Sequence, residues 1–103
     1  MSRRYRFTPG AEEDLLAIWL HTDQRWGEAQ ADRYQDTLHD ACQLLADGSS
    51  ASRLFDSTSG VRFHRCEHHY LFFVEQPDGI TVLAVLHERM DLPARLRERL
   101  ARM

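Results

Sequence analysis

The sequence predicts an α+β domain: an antiparallel sheet carrying an N-terminal helical hairpin on one face, completed by a short C-terminal helix. Three observations lead there. Apolar residues between Ala11 and Leu45 recur at helical spacing, and after Gly60 the period drops to two. The chain has 103 residues, 43% hydrophobic and 28% charged, which suits one core and a single domain spanning 1–103.

Tyr5 and Phe7 alternate with Arg4 and Arg6 as a short strand should. A helix opens at Thr8 and Pro9. Threonine suits the N-cap, proline the first helical position, and Glu12, Glu13 and Asp14 oppose the positive end of the helix dipole. Ala11, Leu15, Ile18 and Trp19 form its apolar face. Trp26-Gly27 interrupts it; Trp19 and Trp26 are assigned to packing of the hairpin and its hinge. The second helix carries Ala31, Tyr34, Leu38, Ala41 and Leu45 in alternating steps of three and four, with Cys42 beside them as a small buried hydrophobe. Gly48 stops the helix and Ser49–Ser52 is loop. The short connection makes the two helices antiparallel.

Val61, Phe63 and Arg65 then share one face of a strand, and Arg62, His64 and Cys66 the other. Tyr70–Val74 is apolar on both faces and reads as a central strand. Gln76-Pro77-Asp78-Gly79 is a hairpin turn leading to the β-branched strand Ile80–Leu86. Leu92, Leu96, Leu100 and Met103 draw a stripe along a last helix that opens around Pro93. The predicted order is β-α-α-β-β-β-α.

Composition narrows the function classes. The net charge of −3 excludes a generic nucleic-acid binder, whose electrostatic footprint would be strongly basic. The 13 basic residues are all arginine, and they are unevenly spread. Residues 61–103 carry seven arginines against six acids, so an anionic partner would meet the C-terminal half. The longest apolar run is five residues, far short of a membrane span, and the N-terminus has no apolar leader segment. Cys42 and Cys66 stand apart, as expected in a reducing cytoplasm.

Two sets of short motifs resemble a known family. Thr8-Pro9 with Ala11, Asp14-Leu15, Ile18, Trp26-Gly27, Gln30-Ala31 and Tyr34 are similar to the first half of the ParE branch of the RelE/ParE toxins. Gly60-Val61-Arg62, His69-Tyr70 and Val85-Leu86-His87-Glu88-Arg89-Met90-Asp91 are similar to the second half. The resemblance implies the toxin of a type II toxin–antitoxin pair, neutralised by a ParD-like antitoxin whose C-terminal segment wraps it. It further implies inhibition of DNA gyrase, with no cofactor; RelE-like members instead cleave messenger RNA on the ribosome.

The nuclease alternative needs a base, an acid and cations around the reacting phosphate. Its candidates are His87 as proton shuttle, Arg62, Arg65 and Arg89 as phosphate clamps, and Glu88 as a carboxylate. The competing reading gives His87–Asp91 a structural role, ending the strand and bridging the neighbouring turn. His64, Cys66 and His68 are zinc-ligand types on one strand face, but side chains about 6.5–7 Å apart and parallel do not converge on a metal. No metal is expected. For a protein partner the candidates are Arg62, Arg89, Leu92, Arg95, Leu96, Arg99 and Leu100, combining an apolar stripe with the fork-shaped donors of arginine.

Overall fold

The computed structural model describes residues 3–103. Strand β1 (Arg4–Phe7) leads into helices α1 (Pro9–Trp26) and α2 (Glu28–Ala46). Strands β2 (Arg53–Asp56), β3 (Val61–Cys66), β4 (His69–Gln76) and β5 (Gly79–His87) follow, and helix α3 (Leu92–Ala101) ends the order. The strands make one sheet, β1-β5-β4-β3-β2.

The α+β architecture agrees with the sequence, with two differences of detail. β2 adds a strand where the sequence shows no strand signal. It is four residues long, and a bulge between Leu54 and Asp56 breaks the alternation a sequence would display. The sheet is also mixed. β2 to β5 pair antiparallel, whereas β1 joins β5 in parallel, Arg4 facing Gly79 and Phe7 facing Val82. A four-residue edge strand does not encode its direction; its anchoring does. The Arg4 amide donates to the Asp78 carbonyl at 2.8 Å and the Thr8 amide to the Val82 carbonyl at 3.0 Å. Gly79 permits the approach: a Cβ there would lie 1.6 Å from the Arg4 carbonyl oxygen.

The Thr8 hydroxyl caps α1 by accepting from the Ala11 amide, as its sequence position predicts. Trp19 Nε1 donates to Asp32 at 2.9 Å and so ties α1 to α2. Trp26, in contrast, is 69% exposed and packs no hinge, because Gly27, at φ 89°, turns the chain unaided. The hairpin covers one sheet face with Ala11, Leu15, Leu38 and Cys42 against Leu71 and Val82. α3 covers the other face, where Leu96 packs with Val61, Phe72, Ala84 and Leu86. Burial from both sides explains why Leu71, Phe72 and Phe73 of β4 are all apolar.

A charged clip joins α1, α3 and β5 at the sheet edge. Arg99 donates to both oxygens of Asp14 (2.8 and 2.9 Å) and to the Leu83 carbonyl (2.9 Å), while the Val85 amide donates to Asp14 (2.9 Å). β1 has already left the sheet at this height, so these side chains satisfy backbone groups that a longer β1 would have paired.

Candidate functional site

The sequence candidates gather only in part: Arg65, His87, Glu88 and Arg89 lie at one end of the sheet, and Arg62 stands apart. Arg62 is opposite Phe73 on β4, whereas His87 is opposite His69, four residues along that strand and about 13 Å away. Arg62 is also occupied by the fold: it donates to the Ser52 hydroxyl (2.8 Å) and carbonyl (3.0 Å), with Glu75 at 3.8 Å. Arg65 donates to Glu88 at 2.6 Å. Glu88 meets His68 as well, at 2.8 Å, so this carboxylate ties β5 to the β3–β4 turn. The hydrogen bond from His68, then the Arg65 charge, holds Glu88 below the usual carboxylate range, as does the nearby His87. That is the structural role weighed above for the His87–Asp91 segment. His87 itself accepts from the Arg89 amide at 3.1 Å and lies edge-on to His69, ring centroids 5.0 Å apart.

Two of the partner-facing candidates belong to the interior. Leu96 is fully buried beneath α3, and Arg99 is fixed in the clip with Asp14. The leucine stripe is covered by the sheet, with Leu92 and Leu100 half-buried at its margins. Arg89 and Arg95 face solvent. His64, Cys66 and His68 diverge: His64 Nδ1 faces the Ala51 carbonyl at 2.9 Å, Cys66 points into the core near the Thr37 carbonyl, and His68 meets Glu88. Among the described residues no group of three or more histidine, cysteine or carboxylate side chains is arranged to hold a metal. Burial raises the Cys42 thiol to about 12, leaving it a packing residue.

Sequence reasoning missed a groove at the end of the sheet where β5 meets α1. One part, about 610 Å³, is bordered by His21, Trp26, Arg33, His68, His69 and His87. The adjoining part, about 310 Å³, is bordered by Ala17, Ile18, Leu86 and Met90, and shares His21, Thr22, His69 and His87 with the first. His69 is held at its base. The Tyr34 hydroxyl accepts from the His68 amide (3.2 Å) and shares a second hydrogen bond with His69 Nδ1 (2.6 Å). Burial, reinforced by His87 and His68, pushes His69 down to about 4, so it is neutral at pH 7. The sequence shows His68-His69 and His87, but only the β4–β5 register and the crossing of α1 bring His21 to them.

The fold, a sheet with a helical hairpin on one face and a short helix on the other, is similar to that of chains in two solved toxin–antitoxin assemblies. Superposition gives a TM-score of 0.69 with a chain of the chromosomal ParDE TA system from P. aeruginosa, at 21% identity over 84% of this chain and 96% of that one. A chain of the YoeB-YefM toxin-antitoxin complex of Staphylococcus aureus gives 0.57 at 13% identity, over 84% and 98%. These likenesses concern the fold. Sequence narrows the class further: the family described as the ParE toxin of the type II toxin-antitoxin system parDE matches residues 5–92. Toxin ParE of Escherichia coli is 42% identical over 101 residues, covering 93% of this chain and 95% of the relative. Toxin ParE1 of Mycobacterium tuberculosis (strain CDC 1551 / Oshkosh) is 37% identical over 98 residues, covering 93% and 100%. The chain belongs to the ParE toxin family of type II toxin–antitoxin systems.

Proposed function

We propose that this chain is a growth-inhibiting toxin that acts on DNA gyrase by binding and is neutralised by a ParD-like antitoxin. One observation carries the reading: the family match runs through nearly the whole domain, while Arg62 and Arg65, two of the cations a nuclease would use, are held in the fold's own contacts. Arg65, Glu88 and Arg62 hold hairpins together, and a cation so engaged is not free to stabilise a phosphorane-like transition state. The solvent-facing arginines Arg89, Arg95, Arg97 and Arg102, with Leu92 and Leu100 beside them, are the proposed meeting place for acidic segments of the antitoxin.

The test is a pair of assays on purified protein. Supercoiling by gyrase should be inhibited and restored by antitoxin, with no cleavage of translated messenger RNA. Transcript cleavage that disappears in His87→Ala, with supercoiling untouched, would overturn the proposal. Charge reversal at Arg95 and Arg97 is the suitable probe of the basic face, because deleting residues 92–103 would strip Leu96 from the core.

A further inference from the structure

We propose that the sheet face left open beside α3 holds a binding site for a free mononucleotide, with the base on Phe63 and Tyr70 and the phosphate at Arg53. The site lies on the opposite sheet face from the His69–His87 groove, and it requires neither gyrase nor an antitoxin.

Strand parity builds its floor. Phe63 on β3 faces the same side as Val61, and Tyr70 on β4 the same side as Phe72. Leu96 of α3 covers Phe72 and Leu86, whereas Phe63 and Tyr70 are only half-buried. Their rings lie 6.0 Å apart, and Phe55 stands edge-on to Phe63 at 6.3 Å. β2 pairs with β3 only as far as Phe63, opposite Arg53, so beyond that point the loop at Ala51 and Ser52 forms a wall. The result is a cavity of about 350 Å³ bordered by Ser52, Arg53, Phe63, His64, Arg65 and Tyr70. Aromatic rings with a few polar groups around them, at this volume, are the makeup of a small-molecule site.

The polar groups decide which small molecule fits. The loop carbonyls are engaged: that of Ala51 accepts from His64 Nδ1 at 2.9 Å, and that of Ser52 from Arg62 at 3.0 Å. The Ser52 hydroxyl accepts from Arg62 Nε at 2.8 Å and keeps its own hydrogen to donate. Arg53 is exposed and enters no ion pair among the described residues. Glu88 is already neutralised by Arg65 and His68. The Ser52–Arg53 end therefore offers donors, which match a phosphate, and a guanidinium fork meets two of its oxygens at once. The Phe63–Tyr70 end matches a base, because stacking on aromatic side chains is how proteins hold unpaired nucleobases. An acidic peptide would satisfy Arg53 and leave the aromatic floor unused. The net charge of −3 disfavours a longer polyanion, which makes the ligand a single nucleotide and not a strand.

The test titrates the full chain with adenosine monophosphate, adenosine and inorganic phosphate, by calorimetry and by amide NMR shifts. Adenosine monophosphate should saturate, with shifts centred on Arg53, Phe63, Arg65 and Tyr70. Adenosine and phosphate alone should each bind about tenfold more weakly or less. Arg53→Ala, at an exposed position of an edge strand, should cost the nucleotide about tenfold and leave adenosine unchanged. Tyr70→Leu, which keeps an apolar side chain there, should weaken nucleotide and nucleoside alike. Three results would each overturn the site: no saturation by the nucleotide in the millimolar range, equal affinity in wild type and Arg53→Ala, or shifts centred on His69 and His87.

Discussion

Gly10 lies in the first turn of α1, where alanine would ordinarily stabilise the helix by about 0.5 kcal/mol. Here the opposite is predicted. A Cβ on residue 10 would come within 2.9 Å of an Arg99 terminal nitrogen and 3.1 Å of its Cδ and Cζ. Arg99 has little freedom to retreat: it makes two bonds to Asp14 and one to the Leu83 carbonyl, and its side chain is 14% exposed. Bonds to charged groups are worth about 1.5–3 kcal/mol each, so even partial misalignment outweighs the helix gain. Gly10→Ala should therefore cost about 1–2 kcal/mol. In an Arg99→Ala background the obstacle is gone, and the same substitution should stabilise by about 0.5 kcal/mol. The coupling between the two sites is then about 2 kcal/mol, readable as a double-mutant cycle from urea unfolding followed by circular dichroism. Equal costs for Gly10→Ala in both backgrounds would refute the packing argument, because helix propensity alone does not depend on Arg99.

Gly79→Ala is predicted to detach β1 from the sheet, since its Cβ would collide with the Arg4 carbonyl at a backbone φ of 152°. A loss of about 3 kcal/mol or more is expected, with rapid amide exchange at Arg6 and Thr8, and native protection there would contradict it. His69 gives the protein a pH dependence. Its folded value is depressed to about 4, so above pH 6.5 both states are neutral and it contributes nothing. As pH falls below 6.5 the unfolded chain takes the proton first, and stability drops until about pH 4. Between pH 7.5 and 5 the loss should be about 1–2 kcal/mol, allowing for screening on the side open to the groove. His69→Gln, which preserves a hydrogen-bond partner for Tyr34, should flatten that part of the profile in urea titrations; an unchanged slope would show that His69 is not the group responsible.

Much of the domain can be read from the chain because the relevant physics is local. Thr8 caps, Pro9 starts and Gly27 breaks α1; Ala31 to Leu45 repeat at helical spacing; Tyr70 to Val74 lack a polar face. Capping, periodicity and turn chemistry act over a few residues, so they leave marks a few residues long. The candidate site was less legible. The arginines of α3 look alike in sequence, yet Arg99 closes an internal clip to Asp14, 85 positions away, while Arg95 is solvent-facing. Whether Leu96 is buried by the fold or by a partner is not legible in the sequence, because a stripe on a short helix does not declare which surface covers it, and that surface, Phe72 and Leu86, comes from two other strands.

The amino-acid order by itself determined the helices, the central strands and the motifs that resemble the ParE branch, because each depends on neighbours along the chain. Tertiary structure decided the parallel seating of β1, the withdrawal of Leu96 and Arg99 into the interior, and the meeting of His21, His69 and His87 around one groove. Those outcomes depend on which segments share a sheet edge. That is set by the total burial and hydrogen bonding of the folded chain, and no short stretch of sequence contains it.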